Sequence, residues 1–170
     1  GISRGVVLEK LPKHYIRQMH FTPIYKDGGW YARIKLVITS LTEDRWDGTV
    51  NVTLKNGETE AFLCSETCSM KENEDELTIE TDEIACKAVS AWAPEHPTLY
   101  QVTARLQDES GCVIDDLTDR VGFREVRTQG KDILLNGKKL QIKGFCRHED
   151  HPQFGCALPL SAIMQDLQLA

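Results

Sequence analysis

Hydrophobic and polar positions alternate along most of the first 124 residues. In the stretch from Trp30 to Thr39, Trp30, Ala32, Ile34, Leu36 and Ile38 are apolar, and Arg33, Lys35 and Thr39 occupy the other face. A period of two marks a half-buried strand. Val50, Val52 and Leu54 repeat it against Asn51 and Thr53; Tyr100, Val102, Ala104 and Leu106 repeat it against Gln101, Thr103, Arg105 and Gln107. Shorter strands are predicted over His14 to Thr22, Glu58 to Cys64, Glu76 to Thr81 and Asp119 to Arg124. Turn residues fall between these runs. Asp27-Gly28-Gly29 and Asn56-Gly57 supply the positive φ of tight hairpins. Glu109-Ser110-Gly111 separates two later strands, and the acidic run Glu72 to Glu76 reads as a solvated turn. About seven short strands with turns at this spacing predict an all-β fold, an immunoglobulin-like antiparallel β-sandwich.

The pattern changes after Arg124. Asn136-Gly137 predicts a β-hairpin between Ile133–Leu135 and Leu140–Ile142, with Gly144 to His148 extending its second strand. Ser161 to Leu169 reads as a helix, with Ile163, Met164 and Leu167 on one side and Ser161 able to cap it. Strand, loop and helix form one α/β unit, and a closed barrel needs eight.

Composition removes several function classes. The 170 residues carry a net charge of −6 without a Lys/Arg cluster, so neither nucleic acid nor an anionic membrane surface is an expected partner. No apolar run approaches the roughly 20 residues of a membrane span. Gly1 to Gly5 lacks a signal-peptide pattern, and the absence of an initial Met fits an excised piece of a longer protein. The six cysteines lack the density of a small disulfide scaffold, so free thiols in a reducing cytoplasm are expected.

Candidate chemistry concentrates in Gly144-Phe145-Cys146-Arg147-His148-Glu149-Asp150-His151-Pro152. An imidazole such as His148 can both donate and accept hydrogen bonds. Arg147, Glu149 and Asp150 can line a pocket or tie the strand to its neighbours by ion pairs. His151-Pro152 is expected to shape the loop, since proline restrains the residue before it. Cys146, His148, His151 and Cys156 match no standard zinc spacing, and no metal site is expected. Trp30 and Trp92 read as core. Trp46 sits in a polar turn, where it could serve as an exposed sugar platform but is expected to pack.

Gly122-Phe123-Arg124, Leu135 to Lys138 and Lys143 through Pro152 together resemble glycoside hydrolase family 2. Trp92-Ala93-Pro94-Glu95-His96-Pro97-Thr98-Leu99-Tyr100 is similar to a segment of that family's immunoglobulin-like domain, and Gly1 to Leu8 to the exit of its N-terminal sugar-binding-like domain. The resemblance implies three parts: residues 1–11 as that exit, 12–124 as the sandwich, and 125–170 as the start of a truncated TIM barrel. It implies a cytoplasmic parent enzyme that cleaves β-glycosides with retention, with β-galactosidase first and β-glucuronidase as the alternative; a non-catalytic carbohydrate-binding or interaction sandwich is the rival. The parent is expected to be a homo-oligomer acting on a carbohydrate substrate, and can use a divalent cation such as Mg. None is expected in this chain.

On the same resemblance His148 faces the sugar pocket, with Arg147 and Glu149 as further substrate contacts. The general acid/base and the nucleophile are glutamates further along the barrel, so no catalytic residue is expected within residues 1–170, and the chain alone should be inert. The sequence departs from the β-galactosidase pattern at Cys146, where Asn is usual; a thiol is the weaker hydrogen-bonding group.

Overall fold

The computed structural model describes residues 5–169, so part of the expected N-terminal exit segment lies outside the described residues. The described chain divides into two compact units: Leu11–Leu140, and a second holding the remaining residues.

The larger unit is a β-sandwich. One sheet contains β1 (His14–Lys26), β2 (Gly29–Ser40) and β5 (Glu76–Glu80), with β6 (Ile84–Cys86) also pairing with β2. The other has the order β4-β3-β7-β8, from β4 (Thr59–Met70), β3 (Trp46–Asn56), β7 (Tyr100–Asp108) and β8 (Val113–Val121). All these pairings are antiparallel. The alternating residues form the core as expected. Ala32, Ile34, Leu36 and Ile38 of β2 are sealed from solvent, as are Val50 and Val52 of β3 and Val102, Ala104 and Leu106 of β7. Each fully buried Val, Leu or Ile contributes roughly 1.5–3 kcal/mol. The expected strand over Asp119 to Arg124 lies earlier, as β8, none of whose residues is buried, so it alternates weakly in sequence.

Phe123, fully buried, meets Phe21, Trp30 and Tyr100 edge-on, with ring centroids 5.5, 5.7 and 5.3 Å apart. The Tyr100 hydroxyl accepts the Ser90 N–H at 2.7 Å. It thereby ties the start of β7 to backbone ten residues upstream, in the manner of an immunoglobulin tyrosine corner. At a bulge in β1 the pairing slips between Ile16 and Gln18, and the Ile16 N–H donates instead to the Asp115 carboxylate of β8 at 2.7 Å.

Asp27 and Gly28 both take positive φ (52° and 76°) between paired Lys26 and Gly29, as a type I′ hairpin requires. The second expected hairpin turn is displaced by one residue. Asn56 pairs with Thr59, so Gly57 and Glu58 form the turn, and of these only Gly57 has positive φ (58°).

After the sandwich come β9 (Val126–Gln129), β10 (Asp132–Leu135) and β11 (Lys138–Lys139), an antiparallel meander in the order β11-β10-β9. Asn136 and Gly137 form its second turn, again with two positive φ values (50° and 76°). Here the expectation needs correction. The hairpin's second strand is Lys138–Lys139, and neither Leu140–Ile142 nor Gly144–His148 is assigned as strand. A parallel barrel strand obtains its ladder from strands on either side; here the Leu140 N–H bond to Ile133 O at 2.8 Å is the last of the hairpin, and no ladder continues over Gly144–His148 among the described residues.

The helix α1 (Leu160–Leu169) begins one residue earlier than expected. The Pro159 carbonyl accepts from Ala162 N and Ile163 N, so Pro159 takes the cap position and Ser161 lies inside the first turn. No residue of α1 is buried; Met164 and Leu167 are exposed.

Candidate active-site loop

The smaller unit carries the chemistry-rich run. Cys146, His148, Glu149 and Asp150 are exposed, and Arg147 is half-buried. Arg147 reaches α1: its Nη2 and Nε donate to one Asp166 carboxylate oxygen at 2.5 and 3.1 Å. Glu149 stands 3.9 Å from Arg147 Nη1. The guanidinium expected at a substrate is thus engaged with the helix. His148 makes no hydrogen bond, ion pair or ring contact among the described residues, so both ring nitrogens are unspent.

His151 does shape the loop. His151 N donates to Gly155 O at 3.1 Å, Gly155 N returns a bond to His151 O at 2.7 Å, and Gln153 N donates to the His151 ring at 3.1 Å. The imidazole also packs on Phe154, with centroids 4.9 Å apart. Gly155 closes the turn at positive φ (54°). Among the described residues no three His, Cys, Asp or Glu side chains gather where they could hold a metal ion, which includes Cys146, His148, His151 and Cys156.

Trp46 is spoken for. Its ring stacks on His14 (centroids 4.7 Å, interplanar angle 17°) and lies over Gly48, where a Cβ would strike both the indole and the Gln107 carbonyl. The shallow polar cleft beside it is lined by Arg45, Asp47, Asp108, Glu109 and Ser110. Two of its carboxylates already have partners. Arg45, then Ser69, hold the Asp47 carboxyl below the usual range. The Ser110 hydroxyl and the backbone N–H groups of Ser110, Gly111 and Cys112 do the same for Asp108. Trp30 and Trp92 are half-buried, Trp30 within the aromatic cluster and Trp92 with the Arg124 guanidinium 5.4 Å over its ring.

Two residues with positioning roles were not singled out by sequence. Asp166 carried no signal beyond a polar place on a short helix. Asn136 read only as a turn residue, yet its side chain bridges the meander to the sandwich: Nδ2 donates to Trp92 O at 2.9 Å, and Oδ1 accepts Glu125 N at 2.9 Å. Leu135 beside it is buried. By contact the meander therefore goes with the sandwich, although in sequence it opens the barrel segment.

Of the six cysteines, Cys112, Cys146 and Cys156 are exposed, while burial pushes the thiols of Cys64, Cys68 and Cys86 up to about 11. Cys64 and Cys68 lie four residues apart on β4, about 13 Å in extended backbone, too far to bridge. No helix among the described residues is long and apolar enough to cross a membrane.

Comparison with known proteins agrees with this architecture. Residues 14–124 match "Glycosyl hydrolases family 2", and residues 126–170 match the TIM barrel domain of the same family. A β-galacturonidase of that family from Eisenbergiella tayi, crystallised with galacturonate, is 48% identical with a TM-score of 0.84, over 94% of this chain and 28% of that one. A Kluyveromyces lactis β-galactosidase is 31% identical over 99% of this chain and 18% of its own length. A Bacteroides uniformis β-glucuronidase shares the fold (TM-score 0.78) at 19% identity, over 94% of this chain and 20% of that one. The chain thus spans less than a third of the length of these relatives. Its sandwich, its meander and the opening of its barrel are those of glycosyl hydrolase family 2, to which the chain belongs.

Proposed function

We propose that the whole protein is a retaining glycoside hydrolase acting on β-linked hexuronic acids, with galacturonide as the first candidate and glucuronide as the second. The observation that carries this reading is the 48% identity to the Eisenbergiella tayi β-galacturonidase across 94% of the chain. The galactoside expected from the sequence gives way on this comparison, because the β-galactosidase relative is more distant, at 31%. Cys146, where β-galactosidases usually carry Asn, points away from a galactoside in the same direction.

Residues 11–140 supply a packed support, and the loop with His148 supplies one wall of the sugar pocket. Retaining hydrolysis needs two carboxylates about 5 Å apart across the sugar. No carboxylate of this chain is assigned either role, and residues 1–170 alone are inert on this reading. His148 offers hydrogen bonds to sugar hydroxyls that tighten in the transition state, and differential stabilisation of that kind raises kcat. From composition and family membership we infer a cytoplasmic homo-oligomer.

Paired assays of the full-length protein on aryl β-galacturonide, β-glucuronide and β-galactoside test the reading. A uronide is expected to be the best substrate, and preference for the galactoside would overturn it.

A further inference from the structure

We propose that Arg147 and Asp166 are a positioning pair that fixes the direction of His148 at the sugar pocket; this rests on the glycosidase reading above. Two anchors bracket the loop. The first is Arg147, whose Nη2 and Nε converge on one Asp166 oxygen at 2.5 and 3.1 Å. The second is the closed turn from His151 to Gly155, held by reciprocal backbone bonds of 3.1 and 2.7 Å and by the His151–Phe154 ring contact. His148, Glu149 and Asp150 are the three residues between them.

The Arg147 side chain is 21% exposed, and its neighbour His148 is exposed and makes no hydrogen bond, ion pair or ring contact among the described residues. With Arg147 held against α1 on one side and the closed turn on the other, the backbone that carries His148 is restrained while its ring nitrogens stay available. An ion pair this close to solvent adds little stability. Its value is orientation, on which reaction rates depend steeply. Arg147 then acts through His148 and does not itself grip the sugar.

The test uses the full-length protein and whichever aryl glycoside the wild type cleaves best. Asp166→Asn is expected to lower kcat about 10-fold while KM stays within about 2-fold, the pattern of lost transition-state orientation. Arg147→Lys, which keeps the charge and loses the fork, should lower kcat by about 3-fold. The exchanged pair Arg147→Asp/Asp166→Arg should recover at least about 3-fold over Asp166→Asn, since the two positions couple. Amide exchange should accelerate over residues 147–156 of Asp166→Asn and stay unchanged over 12–124. An Asp166→Asn variant with wild-type kcat overturns the proposal, as does faster exchange without a kcat change, or an exchanged pair no better than Asp166→Asn. A wild type inert on every glycoside removes the enzymatic reading, and this inference with it.

Discussion

The Asn136 side chain donates to the Trp92 carbonyl at 2.9 Å, across 44 residues of sequence. The same residue turns the meander with φ of 50° and accepts the Glu125 N–H at 2.9 Å. Turn and tether are therefore one residue. The tether ends on the strand-like bridge between Ala91 and Phe123, at the edge of the aromatic cluster.

Those two roles can be separated by substitution. Asn136→Gly keeps the left-handed backbone and loses both side-chain bonds, and should cost about 1–2 kcal/mol. Asn136→Ala loses the bonds and strains the turn, and should cost about 1 kcal/mol more. Urea unfolding followed by tryptophan fluorescence measures both. Equal stability of Asn136→Ala and wild type would contradict the tether.

A methyl group at Gly48 has nowhere to go, because it meets a backbone carbonyl and the Trp46 indole. Gly48→Ala should destabilise by about 1–3 kcal/mol through overpacking and shift the Trp46 emission as the ring is lifted from its seat. The double variant Gly48→Ala/Trp46→Ala relieves only the ring contact. It should remain less stable than Trp46→Ala alone, since the Gln107 carbonyl does not move aside.

Burial, with the nearby Lys13 charge, lowers the pKa of His14 below its ordinary 6.5; Asp44 opposes the shift only in part. The unfolded chain thus binds a proton more readily than the folded one between the two values. Stability should be full above about pH 6.5 and fall as the pH drops through that window. Unfolding titrations between pH 7.5 and about 5 should show this slope. His14→Phe, which keeps an aromatic partner for Trp46, should flatten it. An unchanged slope would show that His14 does not carry it.

Thiol labelling reads the two classes of cysteine. Cys112, Cys146 and Cys156 should react rapidly in the native protein, and Cys64, Cys68 and Cys86 only on unfolding, since burial keeps them protonated at neutral pH. Mass spectrometry after brief alkylation gives the order; early modification of Cys68 would contradict the packing of β4 against the core.

The parts of this fold legible in sequence were those with strict periods. Alternation in β2, β3 and β7 reports burial on one face, and all three strands bury the expected residues. β8 was placed late, because an edge strand with no buried residue has little period to read. The Asn56-Gly57 signal located a turn but not its register, which the pairing of Asn56 with Thr59 decides. At the candidate site the sequence supplied the residues and not their partners. Arg147 and Asp166 are nineteen residues apart, and no local rule joins them. Trp46 was expected to pack, but its partner His14 was not legible, because the stack depends on the meeting of two distant strand ends.

Steady-state kinetics of the full-length protein on matched aryl β-galacturonide and β-galactoside test the central claim most directly. A uronide hydrolase should show kcat/KM at least about 100-fold higher on the galacturonide, roughly 2.7 kcal/mol of transition-state discrimination, and His148→Ala should reduce that value on the same substrate. Equal or greater kcat/KM on the galactoside would contradict the account.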